Sequence, residues 1–155
     1  MTSMRMRIAT PDDAEAVAGL ARRAYAKWVP VLGRPPRPMV EDYTAAIADH
    51  RIDLHERNGR LIASLETRNE PDYLYLVSVA VDPEFQGQGI GLKLLTHAEA
   101  LAREAGHAEV RLKTHGLMEF NVVFYQRHGY EVFERETHET YGTVVHLRKV
   151  LSQSM

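Results

Sequence analysis

The stretch Phe85-Gln-Gly-Gln-Gly-Ile-Gly-Leu92 sets glycine at every second position between an apolar run and a helical pattern. Few folds have a use for bare backbone at that density. A P-loop needs Gly-Lys followed by Ser or Thr, whereas Gly91 here is followed by Leu92-Lys93-Leu94. A dinucleotide fold needs G-x-G-x-x-G and an acid at the end of a second parallel strand. The spacing here is G-x-G-x-G, and the next strand ends in Lys113-Thr114-His115. The third use fits: a strand, a turn at Asp82-Pro83, then Gln86-x-x-Gly89-x-Gly91 opening a long helix. Consecutive amides then point outward at the positive helix end, and missing Cβ atoms let a pyrophosphate approach the backbone.

The flanking pattern is one of alternating strands and helices. Ile90, Leu94, Leu95, Ala98, Leu101, Ala102 and Ala105 recur at helical spacing, with Gly106 as the C-terminal cap. Upstream, Thr10-Pro11-Asp12-Asp13 reads as a helix start, and the helix runs through Trp28 to stop at Val29-Pro30. Three prolines in 33–39 predict a stiff, extended connector, followed by a second helix over 40–50. Residues 53–57 and 61–68 read as a β-hairpin about Asn58-Gly59, and 74–81 as an interior strand. A strand at 110–113, a short helix at 119–128 ending at Gly129, and strands at 130–134 and 144–150 complete the reading.

Composition narrows the partners. At 155 residues, 45% hydrophobic and 26% charged, the chain is expected to form one globular domain over 1–155. Nineteen Lys and Arg against 21 Asp and Glu give a net charge of -2. No global field draws nucleic acid or anionic lipid, so any anionic ligand must be held locally. The absence of cysteine removes disulfides and a cysteine nucleophile. No apolar run nears a membrane-spanning length, and the N-terminus has no apolar signal core, so a cytoplasmic protein is expected. The eight histidines show no HExxH or comparable ligand spacing, and no metal is expected.

With these elements in order, the chain resembles the GCN5-related N-acetyltransferases, which use acetyl-coenzyme A. Their phosphate motif, [Gln/Arg]-x-x-Gly-x-[Gly/Ala], is matched by Gln86, Gly89 and Gly91 after Val79-Ala80-Val81-Asp82-Pro83. A second match is Asn121-Val-Val-Phe124-Tyr125-Gln-Arg127-His-Gly129-Tyr130. The resemblance covers nearly the whole chain. It implies an α/β (α+β) fold: a mixed, mostly antiparallel sheet of about six or seven strands, split into a wedge and flanked by helices. It also implies cofactor contacts from Val79, Ala80 and Val81 on the strand, from Gln86, Gly87, Gln88, Gly89, Ile90, Gly91 and Leu92 in the loop, and from Asn121 and Tyr125. Phe124, in contrast, has the spacing of a packing residue.

The same resemblance implies a mechanism of direct attack by an amine on the thioester. Backbone at Val79 is the expected oxyanion donor and Tyr125 the expected general acid, since a phenol near pKa 10 stays protonated at neutral pH and can protect a leaving thiolate of about 8.5. The general base is left open: residues 74–81 contain no acid, and Glu41, Asp42, Glu66, Glu70 and Asp72 all read first as solvated surface groups. Trp28, Arg34 and Tyr43 are candidates for the acceptor wall, Lys93 for a phosphate contact, and His115 is a minor candidate for the site. A small-molecule amine is the expected acceptor, with a peptide or protein amine next. A non-catalytic acyl-coenzyme A sensor, which would not need the phenol at 125, is the rival from another class. A homodimer through the last strands stays open.

Overall fold

A computed structural model describes residues 4–152. Its seven strands lie in the order β1-β2-β3-β4-β5-β7-β6. They are β1 (Arg7–Ile8), β2 (Arg51–Arg57), β3 (Arg60–Asn69), β4 (Leu74–Val81), β5 (Glu109–His115), β6 (Glu131–His138) and β7 (Gly142–Val150). All neighbours pair antiparallel except β4 and β5, which are parallel. The helices are α1 (Ala14–Tyr25), α2 (Val29–Leu32), α3 (Tyr43–Asp49), α4 (Ile90–Glu104) and α5 (Glu119–Arg127). The mixed sheet with flanking helices is the expected architecture, with β1 an addition to the strands read from sequence.

Local chemistry explains the elements. Asn58 (φ 53°) and Gly59 (φ 76°) supply the two left-handed residues that join β2 to β3, as the Asn-Gly pair predicts. The apolar stripe of α1 buries Val17, Leu20, Ala21 and Ala24 against Ile52 and Leu54 of β2 and Ala80 of β4. On α4, Ile90, Leu94 and Leu95 are each at most 1% exposed. Burial of each is worth about 2 kcal/mol, and it holds the helix that begins at the glycine loop.

Three readings upstream of β2 differ from the structure, and further on β6 runs to His138 rather than ending at 134. Pro30 does not end the first helical region: after a short 3-10 turn over Ala26–Trp28 it occupies the first turn of α2, where its missing N–H costs nothing, and the chain turns instead at Gly33 (φ 75°). The connector is not wholly extended, because Arg37–Met39 forms a 3-10 turn. The next helix starts at Tyr43 rather than Val40, because the Asp42 carboxylate accepts from the amides of Thr44 and Ala45 and so fixes the N-cap.

Candidate active site

The sheet opens where β4 and β5 part. Their pairing consists of Leu74 with Val110 and Tyr75 with Arg111. Immediately beyond, the β3–β4 register jumps from Thr67–Leu76 to Glu66–Ser78, so Val77 is an extra residue on β4. Such a bulge bends the strand and strengthens its twist, which turns the rest of β4 away from β5. The Asp82 amide donates to the Ile62 carbonyl (2.8 Å), so by two-residue alternation Ala80 faces β3 and Val79 and Val81 face the gap. Their carbonyls are taken: Val79 accepts from the Tyr25 hydroxyl at 2.8 Å and Val81 from the Gln86 side-chain amide at 3.1 Å.

Below this strand the glycine loop is shaped by its start. Asp82, 1% exposed, accepts from the Glu84 amide (3.0 Å), Arg23 Nε (3.1 Å) and Arg60 Nη2 (3.1 Å), fixing the 3-10 turn Pro83–Phe85. Gly87 and Gly89 then adopt φ of 81° and 80°, and a Cβ built on either meets nothing within 4 Å. The N-cap of α4 is Gly89, which offers no side-chain oxygen, and the first helical bond is from the Lys93 amide to the Gly89 carbonyl. The amides of Ile90, Gly91 and Leu92 precede that bond and have no acceptor within the helix. Uncapped donors at the positive end of a 15-residue helix suit a phosphate group. Lys27 adds a cation nearby, its Nζ 3.2 Å from Gln86 Oε1.

A cavity of about 380 Å³ fills the gap between β4 and β5. Of the residues singled out from sequence, Val79, Asn121, Tyr125, Arg34, His115 and Glu41 line it together with Tyr25 and Arg37. Ala80, by contrast, packs into the core with α1, and Ile90 anchors α4 from inside. Tyr125 is held edge-on between Phe124 (5.3 Å between centroids) and Tyr130 (5.8 Å). Burial pushes its pKa above the ordinary phenol value, with a smaller push from Tyr25. Burial likewise raises Tyr25 to about 12. Tyr25 was hidden from sequence reasoning because it sits in the apolar stripe of α1; nothing in its spacing separates it from a packing residue.

Acids expected to be solvated prove otherwise. Glu66 lies in β3 at the bulge, 1% exposed, and Glu41 lines the cavity. His50 Nδ1 donates to Glu66 Oε2 at 2.7 Å, while Glu66 Oε1 is buried without a hydrogen-bond partner. One ligand-type atom of each of Glu41, His50 and Glu66 lies within 4.8 Å of the others. Glu41 also faces Arg37 Nη2 at 3.6 Å. Burial, and then the neighbouring Glu66 carboxyl, push the Glu41 pKa up to about 7 despite the opposing charges of Arg37 and His50. Three different elements contribute these side chains, which is why no spacing in the sequence signals them.

Three other candidates change character. Tyr43 is buried and gives its hydroxyl to the Pro38 carbonyl (2.7 Å), stiffening the connector rather than lining the cavity, and Trp28 is also absent from the lining. His115 is tied on both ring nitrogens, with Nδ1 accepting from the Leu117 amide (3.1 Å) and Nε2 bonded to the Tyr141 carbonyl, so it shapes the wall.

Comparison with known proteins agrees with this geometry. The family model described as the acetyltransferase (GNAT) family matches residues 17–130. A curated relative, the S-alkylcysteine N-acetyltransferase of Bacillus subtilis (strain 168), is 29% identical over 164 residues, covering 90% of this chain and 86% of the relative. Among solved structures, the PaiA N-acetyltransferase of Thermoplasma acidophilum in complex with coenzyme A has a TM-score of 0.77 at 20% identity, covering 97% of this chain and 100% of that one. The ribosomal-protein-S18-alanine N-acetyltransferase of Escherichia coli has a TM-score of 0.76 at 20% identity, covering 97% and 96%. At that identity these two structures speak for the fold.

Proposed function

The chain belongs to the acetyltransferase (GNAT) family, and we propose that it moves an acetyl group from acetyl-coenzyme A to the primary amine of a small molecule, in the cytoplasm and as one domain over residues 1–155. The observation that carries this reading is the gap between β4 and β5. It opens Val79, Asn121 and Tyr125 to one cavity, and the strand that carries Val79 leads into a helix start with uncapped amides.

In this reading the pyrophosphate lies on the amides between Gln86 and Leu92, and the pantetheine arm follows Val79, Ala80 and Val81 into the gap. The Val79 amide faces the thioester oxygen and stabilises the negative charge that grows there as the amine attacks. Tyr125 gives its proton to sulfur as the C–S bond breaks. Burial keeps that phenol protonated, and the same dry surroundings penalise the thiolate it must neutralise.

The acceptor class is supported by the cavity volume, which suits a small ligand, and by its lining. Arg34 and Arg37 bring positive charge, and Glu41 a carboxyl, to one wall. That mixture fits an acceptor carrying both an amine and a carboxylate. The S-alkylcysteine named for the curated relative has both groups.

The test is release of coenzyme A thiol from acetyl-coenzyme A against a panel of amines that includes S-alkylcysteines, with mass spectrometry of the acceptor. Saturable turnover with the gain of one acetyl group is expected. Tight coenzyme A binding without turnover on any amine would favour a sensor module instead.

A further inference from the structure

We propose that Glu41 and Glu66 form one proton-accepting unit, in which Glu41 takes a proton from the acceptor's ammonium group and Glu66 holds that proton through a shared hydrogen bond. The inference rests on the acetyl-transfer reading and supplies the base it lacks.

Three observations support it. Glu41 lines the cavity that also holds Tyr125 and Val79, whereas Glu66 stands behind it in the sheet, almost fully removed from solvent. Glu66 uses Oε2 to accept from His50 but has no donor for Oε1. A buried carboxylate oxygen without a donor is costly, and a proton on the neighbouring Glu41 would satisfy it. The charge balance then favours uptake of one proton. Two ionised carboxylates in one pocket repel, and among the described residues Arg37, from the connector, and His50, after α3, oppose that repulsion. Tyr25 of α1 and Tyr43 of α3 are the other titratable groups that interact with the pair, and both are neutral phenols at neutral pH. The resulting affinity for a proton near neutrality is what a general base working at that pH requires.

The step balances. One N–H bond of the ammonium breaks, its electron pair stays on nitrogen, and the proton bonds to Glu41 and is shared with Glu66. The neutral amine attacks the thioester carbon, and the C–S bond breaks as Tyr125 protonates sulfur. A second nitrogen proton is released and replaces the one that Tyr125 gave up. The third remains on the amide, and Glu41 returns its proton to solvent.

The experiment has two arms. In the first, carbon-13 NMR follows the side-chain carboxyls of the protein without acceptor. One carboxyl titrating near pH 7 is expected in the wild type, its midpoint falling by about one unit or more in Glu66→Gln. In the second, the pH dependence of kcat/KM is measured. An acidic limb near pH 7 is expected, displaced in the same direction by Glu66→Gln, and Glu41→Gln should lower kcat by about 10²-fold or more while binding coenzyme A normally. Thermal melts of both variants establish folding, and Glu41→Gln, altered at the cavity wall, serves if Glu66→Gln does not fold. Carboxyls that all titrate below pH 5, or a midpoint that shifts when EDTA is added, would overturn the proposal; the latter would give the three side chains to a metal ion. If no amine is acetylated at all, the function reading fails in the second arm while the first still reports on proton sharing.

Discussion

The Tyr25 hydroxyl reaches from the end of α1 across the mouth of the wedge and donates to the Val79 carbonyl at 2.8 Å. It thereby fixes the strand segment whose amide is proposed to meet the thioester, using a polar group that packing would otherwise leave unpaired. Tyr25→Phe should cost about 1 kcal/mol in denaturant unfolding. It should also lower kcat several-fold through a less ordered Val79. A variant as active as wild type would show that β4 holds its shape without this bond.

The glycines of the loop should not be equivalent. Gly89 sits at φ 80°, where a Cβ is strained by about 1–2 kcal/mol, although nothing lies near it. Gly91 lies inside α4, and a Cβ there would make ordinary contact with Phe124 at 3.7 Å. Gly89→Ala should therefore lower the melting temperature and weaken coenzyme A binding, and Gly91→Ala should leave the melting temperature level or raise it. Calorimetric titration with coenzyme A and thermal melts read both.

Tyr125→Phe should bind coenzyme A as wild type does and lose roughly 10²-fold in kcat. Because burial raises the phenol's pKa above its ordinary value, the proton is retained to higher pH than usual. Activity should then stay level from about pH 8 to about 10, the usual phenol value. A kcat that falls across that interval would point to a different proton donor.

Asp82 couples the loop to acid stability. Burial pushes its pKa up, but the Glu84 amide and the Arg23 and Arg60 guanidinium groups outweigh that and leave it below the usual carboxylate value. With the folded value lowered, its contribution is complete above the unfolded value of about 3.9 and is lost as pH falls through the folded one. Asp82→Ala should cost about 2–3 kcal/mol at pH 7 and show less further loss below pH 4 than wild type does. Urea unfolding at pH 7 and pH 3 makes the comparison.

The legible parts of this protein were those set by local chemistry. Asn58-Gly59 announced its hairpin, and the glycine run with its following apolar period announced the turn before α4 and α4 itself, because each depends on neighbours in sequence. The Val77 bulge was not legible, since its signature is a register between two strands. Pro30 and Val40 misled for a simpler reason: a proline fits the first turn of a new helix as well as it ends an old one, and Asp42 outcompetes Val40 as a start. Tyr25 escaped, and Glu41 and Glu66 stood undistinguished among five carboxyls, because their roles come from contacts across α1, the connector and β3. Carboxyls read singly look solvated, and only the fold brings Glu41 and Glu66 together.

The position of β7 has a consequence for how the molecule comes into being. All seven residues of β5 pair with β7, from Glu109 with Val150 to His115 with Val144, so one side of the cleft is braced by a strand made well after the glycine loop. A nascent chain emerges N-terminal end first. One halted short of residue 142 would already carry the glycines proposed to cradle phosphate, yet half of the pocket would lack its support. Assembly of the cleft is thus deferred, by the order of translation, until β7 has been made.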